Sequence, residues 1–239
     1  MICVSLNPES NEEAVIKMQK AYELVDIVEL RIDGIRNVDL ERLLAVKRKK
    51  VIVTNRCREE GGKFTESESE RIALLKQAVN LGTEYIDVEL STIPSLRDAI
   101  GKAVAGSQGR TRWILSWHDM ARTPSERALK MTLDQCRESG ADIVKIVPFA
   151  TKNSDNLKIL NLIIHAKNRG QDIIAFCMGH RGRISRVMAP FLGSYLSYVS
   201  LTSAEKTAPG QLTVAEMQQL TKILADEQAD NENNLCALR

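Results

Sequence analysis

Short apolar runs and longer amphipathic segments alternate along most of the chain. The apolar runs are rich in β-branched residues and end at turn-forming residues, which is the pattern of buried strands. The amphipathic segments repeat their apolar positions with the 3.6-residue period of a helix. The predicted strands are residues 2–6, 26–32, 50–55, 85–90, 112–117, 140–150, 172–177 and 195–201. The predicted helices are residues 11–24, 38–46, 67–81, 94–105, 124–139, 154–168, 184–192 and 213–224.

Strand–helix units that follow one another in this way predict an α/β protein with a parallel sheet. We expect a single (β/α)8 TIM barrel over residues 1–225, because eight units are enough to close the sheet. The alternative is an open doubly wound sheet, which usually has a glycine-rich phosphate loop after its first strand. Residues 7–11 contain no glycine, which disfavours it. Residues 226–239 are polar and are predicted to form a disordered or weakly held tail.

The composition excludes several classes of function. Hydrophobic residues make up 44% of the chain and charged residues 27%, as in ordinary globular proteins. A net charge of +2 gives no basis for binding nucleic acid or a membrane surface, and 4% aromatic residues are few for stacking bases. No apolar run reaches the ~20 residues that a membrane span needs. We therefore expect no nucleic-acid and no membrane partner.

Cysteine, histidine and glycine spacings argue against disulfides, metals and nucleotides. The five cysteines are scattered and form no CxxC pair, so the sequence predicts no disulfide and a cytoplasmic location. His165 and His180 lack the partner spacing of a zinc site. Neither GxGxxG nor GxxxxGK[ST] occurs, so no nucleotide cofactor is indicated.

Lys145 lies in the middle of a predicted strand whose neighbouring residues are apolar, GADIVKIVPFA. Strands of a parallel sheet are buried on both faces, so a lysine there is unusual. Burial disfavours the charged form of lysine, and a neutral amine can form a Schiff base with a ketone or aldehyde. The alternative is a lysine that reaches solvent from an edge strand or forms a buried ion pair. The strand pattern by itself leaves both interpretations open.

Polar and charged residues recur at the C-terminal ends of the predicted strands, where barrel enzymes build their sites. Because side chains alternate along a strand, Glu29 and Arg31 share one face. His118 follows the strand next to Lys145, which favours a general acid/base role over an ordinary structural histidine. A structural layer of ion pairs in the barrel mouth is the alternative. The groups at strand ends are Glu29, Arg31, Arg56, Glu60, Asp87, Glu89, His118, Lys145, Met178, Arg186, Thr207 and Gln211.

Taken together, these positions resemble type I 3-dehydroquinate dehydratases. The matching fragments occur in the family's order and span about residues 1 to 225, whereas the tail lies outside the resemblance. Each fragment is short, so the specificity comes from the ordered set. The fragments are Glu29-Leu30-Arg31, Arg56 with Glu60-Gly61-Gly62, Ser116-Trp117-His118-Asp119, Lys145 in DIVKIV, Ile184-Ser185-Arg186 and Ala208-Pro209-Gly210-Gln211.

The resemblance implies a (β/α)8 barrel that forms a homodimer and uses no metal or organic cofactor. It implies a lyase of the shikimate pathway, which supplies chorismate for aromatic amino acids. This lyase removes water from 3-dehydroquinate by syn elimination to give 3-dehydroshikimate. Lys145 would form an imine with the substrate ketone, His118 would move the protons, and Glu60 would orient His118. The remaining implied substrate-binding residues are Arg186 for the carboxylate, Thr207 and Gln211 in a closing loop, Arg56, Glu29 and Arg31 on the hydroxyl side, and Met178 with Tyr198 packed nearby.

Two features depart from the family pattern, and two other functions remain open. Thr207 stands where many relatives have serine, and the loop before Pro209 is slightly longer than in some relatives. Some relatives are fused to a shikimate dehydrogenase domain, for which this chain has no room, so we expect a monofunctional enzyme. A class I aldolase or transaldolase also places a Schiff-base lysine in a barrel. A non-catalytic barrel that binds a partner is the third hypothesis.

Overall fold

The computed structural model describes residues 1–46 and 49–236 of the 239-residue chain. Its strands are β1 Ile2–Leu6, β2 Ile27–Arg31, β3 Lys50–Thr54, β4 Tyr85–Glu89, β5 Arg112–Asp119, β6 Ile143–Pro148, β7 Asp172–Ala175, β8 Ser197–Ser200 and β9 Leu212–Thr213. Its helices are α1 Asn11–Leu24, α2 Leu40–Ala45, α3 Glu68–Asn80, α4 Pro94–Gly106, α5 Glu126–Glu138, α6 Asp155–Lys167, α7 Arg183–Met188 and α8 Val214–Cys236. The predicted alternation of strands and helices is confirmed.

The strands form one curled, parallel sheet in the order β7-β6-β5-β4-β3-β2-β1-β8-β9. Between β7 and β8 the Tyr195 N–H donates to the Ile173 carbonyl at 2.7 Å. At the other end of this seam, β9 pairs with β8 through Leu212 and Thr213. The predicted (β/α)8 barrel is therefore confirmed, and β9 is a short addition to it.

Side-chain alternation along the strands creates two separate apolar cores. In β6, Val144 and Ile146 point outward into the layer between the sheet and the helices. Ile143 and Val147 point inward and pack with the other inward-facing residues of the barrel. Because the outer helices cover one face and the barrel closes on the other, both faces are apolar, as the continuous runs predict. Lys145 shares the inward face with Ile143 and Val147, and this brings it into the barrel.

Several helices are N-capped by serine side chains, which accept hydrogen bonds from the free N–H groups of the first helical turn. Ser10 accepts from the Glu13 N–H at the start of α1, and Ser125 accepts from the Ala128 N–H at the start of α5. At α3, Ser67 accepts from the Glu70 N–H while the Glu70 carboxylate accepts from the Ser67 N–H. Such caps fix where a helix begins and contribute about 1 kcal/mol each. They hold the loops that lead from the strands in defined positions.

Three elements differ from the sequence prediction. Strand β5 continues to Asp119, so His118 lies in the strand and not after it. The predicted helix 184–192 divides into α7 and a 3-10 turn, Ala189–Leu192, because Pro190 has no N–H to continue the ladder. Helix α8 continues to Cys236, well past its predicted end at Leu224.

The extension of α8 changes the description of the C-terminal tail. Residues 226–236 have helical backbone where we expected a disordered or weakly held segment. The physical reason is that neither proline nor glycine follows Gly210, while Ala, Glu, Gln and Leu favour a helix. That this part of the helix is weakly held stays a prediction, and residues 237–239 lie outside the described part of the chain.

Across residues 1–46 and 49–236, no helix combines the length with the apolar character that crossing a bilayer requires. Cys3, Cys57, Cys136 and Cys177 are buried free thiols.

Candidate active site

A cavity opens at the C-terminal ends of the barrel strands, and every site residue predicted from the sequence lines it. The structure therefore brings the predicted residues together, although their roles stay predictions. Asp87 and Glu89, which the sequence placed at strand ends without a role, lie behind its wall together with Arg71, which the sequence did not single out. The lining residues are Ser5, Glu29, Arg31, Arg56, Glu60, Gly61, His118, Met120, Lys145, Val147, Phe176, Met178, Arg186, Tyr198, Thr207, Ala208, Pro209 and Gln211.

Lys145 lies at the base of the cavity and is only 4% exposed. Its Nζ donates to Asp87 Oδ2 at 2.8 Å and to Glu29 Oε1 at 3.3 Å. The same Nζ lies 4.2 Å from the centre of the Tyr198 ring. The amine is thus held between two carboxylates and an aromatic face, at the point where a substrate carbonyl could reach it.

The carboxylates beside Lys145 are both kept ionised. Burial raises the pKa of Glu29, but Lys145, Arg31 and the Ser5 hydroxyl together outweigh burial, so the pKa is lowered. Burial also raises the pKa of Asp87, and here Arg56 and Lys145 lower it well below the usual range. Two ionised carboxylates thus flank the amine of Lys145 at this end of the cavity.

Arg56 connects the carboxylates of β4 to the cavity. Its guanidinium donates to Asp87 at 2.9 Å, to Glu89 at 2.6 Å and to the Ser116 hydroxyl at 2.7 Å. Ser116 in turn donates to the same Asp87 oxygen at 2.6 Å. Burial disfavours the charge of Arg56, but Asp87 and Glu89 outweigh it and raise the pKa of Arg56 well above its usual value. The side chain is therefore a fixed cation in the cavity wall.

His118 and Glu60 also line the cavity, and they form a hydrogen-bonded pair of their own. Glu60 Oε2 lies 2.7 Å from His118 Nδ1 and also accepts from the His118 backbone N–H at 3.1 Å. Its other oxygen accepts from the Ser91 hydroxyl at 2.8 Å. A carboxylate at Nδ1 fixes the proton on that nitrogen, which leaves Nε2 free to act as a base.

The charges around His118 favour its neutral form. Burial lowers the pKa of His118 well below its ordinary value, and the positive charges of Arg56 and Lys145 lower it further against the opposing pull of Asp87 and Glu89. Burial likewise raises the pKa of Glu60. A neutral imidazole at pH 7 is the form that can accept a proton from a substrate.

The loop that carries Glu60 is tightly folded against the strand before it. The Gly62 N–H donates to the Cys57 carbonyl at 2.8 Å. A Cβ at Gly62 would lie 1.9 Å from the Arg56 carbonyl oxygen, so only glycine fits there. This close approach explains the Glu60-Gly61-Gly62 sequence and places Glu60 over the end of β5.

Arg186 provides a buried cation whose guanidinium has unused donors. It is 1% exposed, and its Nε and Nη2 lack hydrogen-bond partners among the described residues. The guanidinium stacks on the Phe176 ring, 4.4 Å from the ring centre. Burial lowers the pKa of Arg186 to about 10. Donors left free beside a cavity are suited to the fork of a ligand carboxylate.

A loop between β8 and β9 covers the opening beside Arg186. The Gln211 side-chain carbonyl accepts from the Thr207 N–H at 2.8 Å and from the Thr207 hydroxyl at 3.2 Å. The Gly179 N–H donates to the Pro209 carbonyl at 3.0 Å, which ties this loop to the one after β7. Because its carbonyl is occupied by Thr207, Gln211 has its amide N–H groups available for a ligand.

Arg31 is held in the wall by a carboxylate two residues further along the chain. Its Nε and Nη2 donate to the two oxygens of Asp33 at 2.6 and 2.7 Å. Asp33 also accepts from the N–H groups of Arg56 and Lys63. Burial raises the pKa of Asp33, but the bonds and charge of Arg31 together with the N–H groups of Lys63 and Arg56 outweigh burial, and the pKa is lowered. Asp33 thus joins the β2 residues to the loop that carries Glu60.

Sequence reasoning missed several residues at or behind the cavity. Ser5 donates to Glu29 at 2.5 Å, and its position two residues after inward-facing Cys3 was the available signal. Asp87 was noticed at a strand end, but its direct contact with Lys145 could not be read from spacing. Phe176 and Met120 line the cavity without any motif that distinguishes them from core residues.

The arrangement brings an amine, an imidazole and a guanidinium with free donors together in one cavity. The Lys145 amine donates to two carboxylates, and the surroundings of His118 favour its neutral form. Arg186 has free donors for a carboxylate, and Arg31 and Arg56 add positive charge to the wall. Such a set suits covalent chemistry on the carbonyl of a small anionic substrate.

The chain matches the family model described as Type I 3-dehydroquinase over residues 2–228. The 3-dehydroquinate dehydratase of Pyrococcus abyssi is 35% identical over 226 residues, which is 95% of this chain and 99% of that protein. That of Desulfotalea psychrophila is 34% identical over 217 residues, covering 91% and 95% of the two chains. The solved structure of the Clostridium difficile type I enzyme, with covalently modified comenic acid, has 25% identity and a TM-score of 0.85. It covers 95% of this chain and 92% of its own.

Proposed function

This chain belongs to the type I 3-dehydroquinase family, and from that premise we propose that it dehydrates 3-dehydroquinate to 3-dehydroshikimate through a Schiff base on Lys145. The observation that carries the proposal is the position of Lys145. Its amine lies 2.8 Å from Asp87 and 3.3 Å from Glu29, in the cavity that His118 and Arg186 also line. The reaction serves the shikimate pathway and the formation of aromatic amino acids.

The reaction begins with attack of the neutral Lys145 amine on the substrate ketone. Asp87 and Glu29 are the groups placed to accept the proton that the amine gives up. Loss of water from the resulting carbinolamine gives a protonated imine. The imine withdraws electrons from the neighbouring carbon, whose proton then becomes acidic enough for a moderate base.

His118 performs the proton transfers of the elimination. Its Nε2 takes the proton from the carbon next to the imine, while Glu60 holds Nδ1. The imidazolium then gives that proton to the leaving hydroxyl on the same face, which makes the elimination syn. Hydrolysis of the imine releases the enone and restores the Lys145 amine. One residue that first accepts and then returns the proton is sufficient for this sequence.

The remaining residues bind and orient the substrate. Arg186 binds the substrate carboxylate with its two free donors, and Gln211 and Thr207 close over it. Arg31, Arg56 and Glu29 bind the hydroxyl groups, and Met178 packs against the ring. The cations in the wall offset the charge of an anionic substrate.

Intact mass measurement after addition of 3-dehydroquinate and borohydride tests this function. We expect one reduced adduct in the unsubstituted protein and in Lys63→Ala, whose side chain is exposed outside the cavity. Lys145→Ala should give no adduct and no rise in enone absorbance. An adduct that persists in Lys145→Ala would contradict the Schiff-base assignment.

The same assay separates the other functions. An adduct with a sugar phosphate but none with dehydroquinate would support the aldolase or transaldolase hypothesis. Folded protein without any adduct or turnover would support a non-catalytic barrel. The cofactor-free reaction should continue after dialysis against a chelator.

We also carry over the homodimer and the cytoplasmic location from the family resemblance and the cysteine pattern. Light scattering on a sizing column tests the first, with twice the chain mass of 26.7 kDa expected. Fractionation of the source cells tests the second.

A further inference from the structure

Arg71 is a buried cation on helix α3, outside the cavity, and its guanidinium is fully hydrogen-bonded. It is 1% exposed. Its Nε and Nη2 each donate to one oxygen of Glu68 at 2.7 Å, and Nη2 also donates to the Thr92 hydroxyl at 2.8 Å. Its Nη1 donates to the Asn55 carbonyl at 2.7 Å and to Glu89 at 2.5 Å. The side chain is therefore fixed in one position by its neighbours.

Glu89 connects Arg71 to the cavity wall. One of its oxygens accepts from Arg71, and the other accepts from Arg56 at 2.6 Å and from the Cys57 N–H at 3.2 Å. Arg56 in turn holds Asp87, and Asp87 holds Lys145. Alternating positive and negative charges thus run without a gap from helix α3 to the amine at the base of the cavity.

We propose that Arg71 is a positioning residue for the reaction on Lys145, which it aligns through Glu89 and Arg56. This inference rests on the proposed function. Arg71 touches neither the cavity nor Lys145, so its action is indirect. It occupies one oxygen of Glu89, and the other oxygen then has the orientation that holds Arg56 against Asp87.

Removal of the guanidinium changes the balance of charge around Glu89. Its second oxygen would lose its partner in a buried place, where an unsatisfied carboxylate is strongly disfavoured. Glu89 would turn toward Arg56, the nearest remaining cation, and draw it away from Asp87. Asp87 would then lose Arg56 as the partner of its second oxygen, so its contact with Lys145 would change. The cavity wall formed by Arg56 would move as well.

The test compares Arg71→Met with three other variants by steady-state kinetics on 3-dehydroquinate. A displacement of about 1 Å in a catalytic group lowers the rate by roughly 100-fold, and we expect a fall of that order in kcat/KM for Arg71→Met. Arg71→Lys, which keeps the charge and one bond to Glu89, should recover most of the loss. Glu68→Gln weakens the outer end of the chain of charges and should give an intermediate value.

Arg112→Met is the matched structural control. Arg112 is a half-buried cation that pairs with Asp172 at 2.8 Å and stacks on Tyr195 at the opposite end of the barrel. Its loss should lower stability without changing kcat, KM or the pH profile. A purely structural Arg71 would behave in the same way.

The pH profile separates positioning from general loss of stability. Arg56 and Lys145 hold the pKa of Asp87 low against its burial. Beyond the effect of burial, Arg56 also lowers the pKa of His118, the proposed base. A displaced Arg56 lets the pKa of His118 rise, so the acid limb of kcat/KM should move to higher pH in Arg71→Met and not in Arg112→Met. The titratable and polar groups that face Asp87 are Arg56, Lys145, His118, Ser116, Glu29, Glu60 and Tyr198.

A crystal structure of Arg71→Met, or of Glu68→Gln if the first variant does not fold, completes the test without relying on turnover. The proposal predicts a longer Arg56–Asp87 distance than 2.9 Å. An unchanged distance together with an unchanged acid limb would overturn it while the dehydratase function stands. An unsubstituted protein without turnover would overturn the function, and the distance would still decide whether Arg71 positions Arg56.

Discussion

Asp87 Oδ2 lies 2.8 Å from Lys145 Nζ, and the other oxygen of Asp87 is held by Arg56 at 2.9 Å. The carboxylate is therefore shared between a fixed cation and the amine that we assign as the nucleophile. Lysine must lose a proton before it can attack a ketone, and Asp87 is the nearest group that can take it. Glu29, at 3.3 Å from the same amine, is the second acceptor.

Asp87→Asn should slow formation of the Schiff base. The amide cannot accept the Lys145 proton as a carboxylate does, and general base catalysis is worth roughly 100-fold or more. We expect a loss of that size in the rate of borohydride-trappable adduct in a single-turnover experiment. Asp172→Asn, at the other end of the barrel, is the control. Adduct formation at the unsubstituted rate would show that Glu29 alone is sufficient.

Glu60→Gln should lower kcat much more than it changes KM. A glutamine can present its NH2 group to Nδ1, which would place the imidazole proton on Nε2, where the base is needed. A wrong histidine tautomer costs up to about 10⁴-fold in the serine-protease triad, and we expect roughly 100-fold or more here. Glu59→Gln, its exposed neighbour, should have no effect. Equal losses in both variants would contradict the role of Glu60.

His118 should make the free energy of unfolding fall as the pH drops below about 6.5, its unfolded pKa. Because burial and nearby cations lower the folded pKa of His118, the unfolded chain binds the proton first in this range. The free energy of unfolding therefore falls by about 1.4 kcal/mol for each pH unit, until the pH reaches the pKa of His118 in the folded protein. Losses from the lowered pKa values of Glu29 and Asp33 come only at lower pH, below their ordinary values.

Urea denaturation at pH 7.0, 6.0 and 5.5 would measure this dependence, at pH values chosen roughly around the unfolded pKa. His118→Asn should lose less stability than the unsubstituted protein over the range. The exposed His180→Asn should follow the unsubstituted protein. Parallel curves for all three proteins would show that His118 titrates normally in the folded state.

The fold could be predicted from the sequence because strands that are buried on both faces of the sheet consist of continuous apolar runs. The two-residue strand β9 was missed because Leu212 and Thr213 are too few to show a period. The end of α8 was missed because residues 225–236 lack an apolar stripe, while their helix propensity is sufficient for the backbone. Boundaries elsewhere shift by one to three residues for similar local reasons.

The cavity could be predicted because strand ends meet at one face of a barrel, so order along the chain becomes proximity in space. The hydrogen bonds and ion pairs behind the cavity could not be predicted in this way. Arg71 lies in the segment Ser67-Glu68-Ser69-Glu70-Arg71, which has the composition of an exposed helix start. Its burial depends on its contact with Glu89 at the end of β4. A sequence pattern does not give the distance between these two residues.

Gly210→Ala should weaken substrate binding by displacing the loop that carries Gln211. Gly210 has φ +78°, and a Cβ there would lie 2.1 Å from the Gly179 carbonyl oxygen. The loop must move away from β7, and we expect KM to rise roughly tenfold, the value of about 1.4 kcal/mol of lost binding. Gly170→Ala has similar strain, with φ +69° and open space around the Cβ, and should leave KM unchanged. Equal KM values for Gly210→Ala and Gly170→Ala would show that this loop does not contribute to substrate binding.

Arg186→Met should stabilise the empty protein while it abolishes substrate binding. The guanidinium is buried with Nε and Nη2 unpartnered, so its desolvation is not offset until a carboxylate binds. Replacing buried charges with apolar side chains of similar size is often neutral or stabilising by about 1–4 kcal/mol. Urea denaturation without ligand measures the first effect, and adduct formation with 3-dehydroquinate measures the second.

Arg71→Met is the matched comparison, because its guanidinium is equally buried but fully hydrogen-bonded. Removing one partner of a buried pair costs about 3–5 kcal/mol, so this variant should be less stable than the unsubstituted protein. The two arginine variants are thus expected to change the free energy of unfolding in opposite directions. If Arg186→Met were destabilised as much as Arg71→Met, the free donors of Arg186 would be satisfied within the protein, and the carboxylate site would lie elsewhere in the cavity.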